Sequence, residues 1–264
     1  MLQLYKNYIK VAFMKKNKKT KKALGYKFVC FMVHTFYGRR QFLGVENLPN
    51  EECIVVGNHC QMDGPISCEL YFPAEKKIWC IGDMMNLKDV PSYAFQDFWA
   101  SKPRSVRWFY KILSYIIAPF SVFFFTNADT IAVYKDSRTL STFRDTQTAL
   151  ENGEKVVIFP EKRQEYNGIV NEFQDKFIDV ARFYYKKTNK KIAFVPMYNA
   201  PSLKKVVLGK PVYFDPEKPM QEEREFLLNY LKEEITKLAL ELPRHKVTPY
   251  ENIGKKNYSW SKEE

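Results

Sequence analysis

Short apolar runs alternate with longer amphipathic stretches through the middle of the chain. Runs of four to six mainly aliphatic residues bounded by turn residues are typical of buried strands. The runs that predict strands are Cys53–Gly57, Lys77–Gly82, Thr130–Tyr134, Lys155–Phe159, Ile192–Pro196 and Lys205–Gly209. Between them, apolar residues recur every three or four positions, which predicts helices. The predicted helices are Ile66–Phe72, Ser137–Asn152 (ended by Gly153), Gln174–Lys187 and Gln221–Leu242.

This alternation predicts an α/β fold with a mixed, largely parallel sheet flanked by helices. The chain of 264 residues is long enough for one sizeable domain. We place that domain at residues 42–242, after a basic helical segment at 1–41 and before a polar C-terminal tail at 243–264. The ten glycines are spread thinly and form no glycine-rich nucleotide loop, which disfavours a dinucleotide-binding or P-loop enzyme.

The N-terminal segment is strongly basic. Residues 1–40 hold eleven Lys and Arg and no Asp or Glu, whereas the rest of the chain is nearly balanced. Leu4, Tyr8 and Val11 recur at helical spacing with lysines between them, which predicts a basic amphipathic helix on an anionic bilayer surface. The alternative is a solvated helix packed on the domain. A nucleic acid is a less favoured partner, because no helix-turn-helix, finger or single-strand platform motif is evident.

Residues 83–126 combine aromatic and basic side chains, a mixture typical of a membrane interface. The alternative is a core helix. The apolar stretch Ile112–Phe125 is too short to span a bilayer, and Pro119 is expected to interrupt it. No secretory signal peptide is predicted. Five cysteines without a CxxC pair are expected to be reduced, structural thiols; they are Cys30, Cys53, Cys60, Cys68 and Cys80.

His59 is the histidine with the clearest chemical potential. It directly follows a predicted strand, where α/β folds place their ligands, and Asp63 comes four residues later. If Asn58–Pro65 opens a helix, both side chains project from one face, and the carboxylate can orient the imidazole as a base. The alternative is a capping Asp and a satisfied His. Cys60 is disfavoured as a nucleophile, because neighbours on a helix do not face each other.

Two later segments end predicted strands with distinctive residues. Phe159-Pro160-Glu161-Lys162-Arg163 places one acid and two bases after a strand, where they can bind a phosphate or orient a polar headgroup. Val195-Pro196 ends another apolar strand and is expected to line the same site.

The ordered set of these blocks resembles the glycerolipid acyltransferase family, whose best-known members are the lysophosphatidic acid acyltransferases. The resemblance runs from about Gly44 to Pro211. The family's His-(four residues)-Asp block is approximated by His59 and Asp63, one residue shorter. Its basic residue after an aliphatic strand corresponds to Lys135, with Arg138 as the alternative. Its Phe-Pro-Glu-Gly-Thr-Arg block is Phe159–Gln164, and its Val-Pro is Val195-Pro196.

The resemblance implies a membrane-associated O-acyltransferase on the cytoplasmic face. His59, oriented by Asp63, is then the catalytic base for transfer from acyl-CoA or acyl carrier protein to a lysophospholipid hydroxyl, that of 1-acylglycerol-3-phosphate being expected. No metal or bound cofactor is needed, and the sequence indicates no oligomeric state. The implied substrate-binding residues are Asn58, Lys135, Arg138, Glu161, Lys162, Arg163 and Pro196. A noncatalytic lipid-binding protein of the same fold and a hydrolase that uses water as acceptor are the alternatives.

Overall fold

The computed structural model describes residues 23–100, 102–134 and 136–263. Its helices are α1 (Leu24–Tyr37), α2 (Asp63–Tyr71), α3 (Val90–Ala94), α4 (Arg104–Asn127), α5 (Thr139–Glu151), α6 (Asp179–Thr188) and α7 (Met220–Glu241). Its strands are β1 (Gln41–Leu43), β2 (Cys53–Gly57), β3 (Lys76–Ile81), β4 (Thr130–Val133), β5 (Lys155–Ile158), β6 (Glu161–Glu165), β7 (Asn171–Phe173), β8 (Ala193–Ala200), β9 (Lys205–Leu208) and β10 (Val212–Tyr213).

The main sheet has the strand order β1-β9-β8-β2-β5-β3-β4, and β10 also pairs with β8. Strands β8, β2, β5, β3 and β4 are mutually parallel. Strands β9 and β10 run antiparallel to β8. The predicted α/β class with a mixed, largely parallel sheet is therefore confirmed. Strands β6 and β7 form a separate hairpin that the sequence pattern did not predict.

The centre of the sheet is buried on both faces, which explains why its strands are continuous apolar runs. In β2, Ile54 and Val56 contribute to a cluster with residues of α5, α6 and α7. The alternate residues Cys53 and Val55 face the other cluster, which includes Cys68 of α2. This burial fixes the strand register, because a shift of one residue would exchange the two faces. The carboxyl ends of the parallel strands are thereby held at one edge.

Helix α4 runs without interruption from Arg104 to Asn127, so the prediction that Pro119 breaks this stretch is wrong. A proline removes one backbone hydrogen-bond donor from a helix. The helical segments on both sides of Pro119 retain their own hydrogen bonds, so the helix continues through it. Among the described residues, α4 is the one helix long and apolar enough to cross a bilayer by length and composition. Only 11% of its apolar window is buried inside the protein.

The C-terminal residues 244–263, here named the strap, pack back onto the domain. The N–H of Val247 donates to the carbonyl of Ser259, and that of Ser261 donates to the carbonyl of His245, both at 2.9 Å. The imidazole of His245 is buried, with Nε2 2.8 Å from the hydroxyl of Tyr198. The polar C-terminal tail is therefore held in a defined position on the protein surface by these hydrogen bonds.

Candidate active site

Three of the blocks singled out in the sequence meet at the carboxyl edge of the sheet. Strand β2 lies between β5 and β8, and Val56 is in register with both Ile158 and Pro196. His59 follows β2, Phe159-Pro160-Glu161 follows β5, and Pro196 lies within β8. Residues separated by more than a hundred positions are thus neighbours because parallel strands end at the same edge.

The chain leaves β2 in a tight turn before it enters α2. Cys60 and Gln61 both have left-handed backbone conformations, with φ of 50° and 56°. Helix α2 begins at Asp63, so the prediction that Asn58–Pro65 opens a helix is wrong. The N–H of Gly64 donates to the carbonyl of His59 at 3.1 Å, and a Cβ on Gly64 would lie 2.7 Å from that oxygen. Glycine is needed there for this close approach.

The carboxylate of Asp63 is bound by a residue other than His59. Its Oδ2 lies 3.1 Å from Nη2 of Arg40, and its Oδ1 accepts a hydrogen bond from Ser67 at 3.2 Å. The buried Nδ1 of His59 has no hydrogen-bond partner among the described residues. The predicted pairing of Asp63 with that nitrogen is therefore not formed, because the turn at Cys60 separates the two side chains and Arg40 occupies the carboxylate.

Glu161 holds the backbone of His59 in place. Its Oε2 accepts the N–H of His59, and its Oε1 accepts the N–H of Asn171 at 3.0 Å. The side chain is buried, which raises its pKa to about 7, although both backbone hydrogen bonds oppose that rise. Both oxygens thus face the protein, and the headgroup contact expected for Glu161 is replaced by a positioning contact with His59.

Asn58 is hydrogen-bonded to Asn199 of β8. Its Oδ1 accepts the N–H of Asn199 at 2.7 Å, and its carbonyl accepts the side-chain amide of Asn199 at 2.8 Å. Its own Nδ2 donates to the carbonyl of Asn199 at 3.2 Å. These reciprocal bonds tie the end of β2 to β8, and they occupy the amide that was expected to contact substrate or an oxyanion.

The imidazole of His59 lies between two aromatic rings. Phe159 is 5.4 Å away and Tyr250, from the strap, is 5.6 Å away, measured between ring centroids. Burial lowers the pKa of His59, while the Gln61 backbone and the Asp97 carboxylate oppose this shift. The lowered pKa favours the neutral ring, which is the form that accepts a proton.

The described basic residues that were expected to bind a headgroup do not all lie together at one place in the structure. Arg163 has a 68% exposed side chain, and its Nη2 lies 2.7 Å from Oδ1 of Asp97. Lys162 is exposed beside it. Arg138 follows β4, three strands away from β2, and it pairs with Asp136 at 2.7 Å. Lys135 lies outside the described residues.

Cys60 is not suited to be a nucleophile. Its thiol is buried, which raises its pKa well above the usual value, so the thiolate is disfavoured. Among the described residues, the cysteines form no disulfide with one another. Within the residues that the structure describes, no group of three or more His, Cys, Asp and Glu side chains is placed to hold a metal ion.

Three residues of this site were missed by the sequence reasoning. Arg40 was counted in the lipid-facing segment, Tyr250 lies in a stretch without apolar periodicity, and Asn199 sits inside an otherwise apolar strand. The predicted strand ended at Pro196, so only the structure shows that Asn199 lies in a buried strand, where its amide needs a specific partner.

Comparisons with known proteins add a likeness to solved structures. No protein-family model matches the chain. No curated protein matches it. Among solved structures, it is similar to the crystal structure of the 1-acyl-sn-glycerophosphate (LPA) acyltransferase, PlsC, from Thermotoga maritima. The two chains are 17% identical, the match covers 91% of this chain and 90% of that chain, and the TM-score is 0.47. A likeness of this degree establishes neither a family nor an activity.

Proposed function

We propose that this protein is an O-acyltransferase that acts on glycerolipids with His59 as the general base. The observation that carries the proposal is the meeting of His59, Phe159-Pro160-Glu161 and Pro196 on three adjacent strands. These are the blocks in which the sequence resembles the glycerolipid acyltransferases. A neutral, partly exposed imidazole at this edge is the group that the reaction requires.

The proposed reaction is a direct transfer. Neutral His59 takes the proton of the acceptor hydroxyl as the oxygen attacks the carbonyl carbon of an acyl thioester on coenzyme A or acyl carrier protein. The tetrahedral intermediate then collapses, the carbon–sulfur bond breaks, and the departing thiolate takes the proton from the imidazolium. The products are the acylated lipid and a free thiol, and His59 returns to its neutral form.

The proposed acceptor is 1-acylglycerol-3-phosphate. Lys162 and Arg163 follow Glu161 directly in β6, and Glu161 bonds the backbone of His59. A phosphate is a suitable partner for such a guanidinium and ammonium pair. Arg138 is a weaker candidate because two strands, β5 and β3, lie between β4 and β2.

We also propose that the protein is peripheral to the cytoplasmic face of a membrane. Helix α1 is fixed to the domain by buried Tyr26, whose hydroxyl donates to Glu69 at 2.6 Å. Tyr26 also contacts Phe124 of α4, at 5.3 Å between ring centroids. The large apolar side chains that the two helices expose include Leu24, Phe28, Phe31, Phe36, Trp108, Phe109, Ile112, Tyr115, Ile116 and Phe120.

Helix α4 exposes its more apolar side. Ser114 and Ala118 are buried against the domain, whereas Trp108, Ile116 and Phe120 face outward. A helix that faced water would bury the larger apolar residues, so this inversion favours a lipid-facing helix. Residues 102–127 contain four basic residues and no acidic one, which suits an anionic bilayer. Since one side of α4 packs on the domain, we propose that it lies in the membrane plane.

The reaction is tested by incubating the protein with an acyl thioester and a panel of lysolipids in detergent, with products identified by mass spectrometry. His59→Ala is expected to lower acyl transfer by about 10²–10⁴-fold. His34→Ala is the matched control, because His34 lies exposed on α1. Wild-type rates in His59→Ala, or release of free fatty acid without a lipid acceptor, would reject the proposal.

Membrane docking is tested by sedimentation with vesicles of phosphatidylcholine and phosphatidylglycerol. Phe120→Ser is expected to weaken binding, whereas Leu140→Ser, on α5, is not; the two side chains are 71% and 67% exposed. Removal of residues 1–22 should weaken the component of vesicle binding that depends on salt concentration. A deletion of 1–40 is unsuitable because it also removes buried Tyr26 and Arg40. Equal binding by all variants would contradict the proposed surface.

A noncatalytic lipid-binding protein is the second candidate. It is favoured by the engagement of Asp63 with Arg40, which leaves Nδ1 of His59 without a carboxylate partner. Vesicle binding without acyl transfer to any lysolipid would support this candidate.

A further inference from the structure

The imidazole of His59 needs a restraint that Asp63 does not supply. A free histidine side chain samples several rotamers, whereas a general base must keep one nitrogen directed at its substrate. The Asp63 carboxylate is bound by Arg40 and Ser67. Glu161 accepts the backbone N–H of His59 and so fixes its backbone. The ring is also contacted by the Gln61 backbone and by two aromatic rings.

Two aromatic rings approach His59 edge to face. The Phe159 ring makes an interplanar angle of 69° with the imidazole, and the Tyr250 ring makes an angle of 90°. Phe159 is fixed by β5, which lies beside β2. Tyr250 comes from the strap, so its position depends on how the strap is attached to the domain.

The strap is attached to the turn that carries His59. The side-chain amide of Gln61 donates to the carbonyl of Glu251 and to the hydroxyl of Tyr258, both at 3.0 Å. Gln61 is also one of the two turn residues with left-handed backbone conformation. The residue next to Tyr250 is thereby bonded to a residue two positions from His59.

A second attachment joins the strap to the hairpin of β6 and β7. The amide Nδ2 of Asn171 donates to Oε1 of Glu251 at 3.1 Å. The backbone N–H of the same Asn171 donates to Glu161, which in turn accepts the N–H of His59. Glu251 is therefore connected to His59 by two routes, one through the turn and one through the hairpin.

We propose that Tyr250 is a positioning residue that holds the His59 imidazole in its working rotamer and shields one side of it from water. This inference rests on the proposed function, because the rotamer matters for catalysis only if His59 is the general base. The ring, rather than the hydroxyl, does the positioning, because the contact is made by the aromatic faces and edges. Burial and the nearby carboxylates of Asp97 and Glu161 raise the pKa of Tyr250, so it adds no charge.

The first test is independent of any reaction. The ring nitrogens of the three histidines are followed by NMR as a function of pH in the full-length protein. Tyr250→Ala is expected to move the titration of His59 upward, toward that of an exposed histidine, because water then reaches the ring. Tyr250→Phe keeps the ring and should leave the titration unchanged. Asp97 and Glu161 are present in every variant, so their charges do not account for the difference.

The second test uses acyl transfer. Tyr250→Ala is expected to lower kcat about tenfold with a smaller change in KM, and Tyr250→Phe is expected to restore it. Tyr213→Ala, at an exposed tyrosine of β10, is the matched control. An unchanged His59 titration in Tyr250→Ala would overturn the positioning role, and so would a Tyr250→Phe variant as damaged as Tyr250→Ala. A wild-type protein without acyl transfer would reject the proposed function, while the NMR result would still stand.

Discussion

Arg40 and Asp63 form an ion pair in which Nη2 and Oδ2 are 3.1 Å apart, and both side chains are largely withdrawn from water. The guanidinium also lies 3.9 Å from the ring centroid of Tyr37, whose hydroxyl donates to the Asp63 backbone carbonyl. This pair joins the segment between α1 and β1 to the start of α2. Its geometry gives Asp63 a structural role beside the proposed base.

Loss of one partner of this pair should destabilise the fold. Asp63→Ala leaves the Arg40 charge buried and unpaired, which is expected to lower the free energy of unfolding by about 3–5 kcal/mol. Acyl transfer per folded molecule should fall by less than about tenfold, because Asp63 does not bond Nδ1 of His59. Urea denaturation and single-substrate kinetics measure the two effects. If Asp63→Ala kept normal stability but lost as much activity as His59→Ala, the predicted catalytic pairing of Asp63 with His59 would be supported instead.

Glu161 gives the stability of the protein a distinctive pH dependence. Its folded pKa of about 7 lies above the ordinary value of 4.5, so the folded state binds a proton more tightly than the unfolded state. The associated stabilisation is complete below about pH 4.5 and is lost as pH rises through 7, amounting to about 3 kcal/mol. Unfolding free energies of Glu161→Gln across this range should lack that decline. A parallel pH dependence in both proteins would contradict the assignment.

Acyl transfer should follow the ionisation of His59. Because burial lowers its pKa below the ordinary value of 6.5, activity is expected to rise with pH through that lowered pKa and then level off. The measurement is kcat against pH in the wild-type protein. A rise centred above pH 6.5 would show that another group controls the reaction.

Arg163 should distinguish acceptors by their charge. Arg163→Ala is expected to raise KM about tenfold or more for a lysolipid with a terminal phosphate, and to leave KM for a neutral lysolipid nearly unchanged. Arg138→Ala is the matched control, because Arg138 is also exposed and paired with an aspartate, Asp136. If the two substitutions changed KM for the phosphate-bearing lysolipid equally, Arg163 would not be a specific headgroup-binding residue.

The link between Asn58 and Asn199 should be cooperative. Either residue changed to alanine leaves buried partners without their hydrogen bonds, which is expected to cost about 2–3 kcal/mol. The double variant should lose less than the sum, because the second change removes groups already unpaired. A double-mutant cycle by urea denaturation measures this. Additive losses would indicate that the two side chains act separately.

The strands and helices of the sheet were predictable because each buries a regular apolar pattern. Cys53–Gly57 was predicted with its observed bounds, and the end of α5 was predicted from Gly153, which adopts a positive φ of 78°. These features depend on local spacing and on single residues. His59 was located for the same reason, since it directly follows a strand.

The site around His59 depends on contacts between distant segments, which local patterns do not contain. Arg40 belongs to a run of basic residues, and only the fold shows that it is buried against Asp63. The left-handed turn at Cys60 and Gln61 has no glycine to signal it. Tyr250 lies far along the chain from His59, and its ring contact requires the complete path of the strap.

The position of the strap in the chain has a consequence for biogenesis. All strands and long helices of the domain precede residue 243, and the strap follows them. During synthesis, the sheet edge and His59 therefore leave the ribosome before Tyr250 does. The contact between Tyr250 and His59 can therefore form only after the strap has been synthesised and the Gln61 amide has bonded to the Glu251 carbonyl.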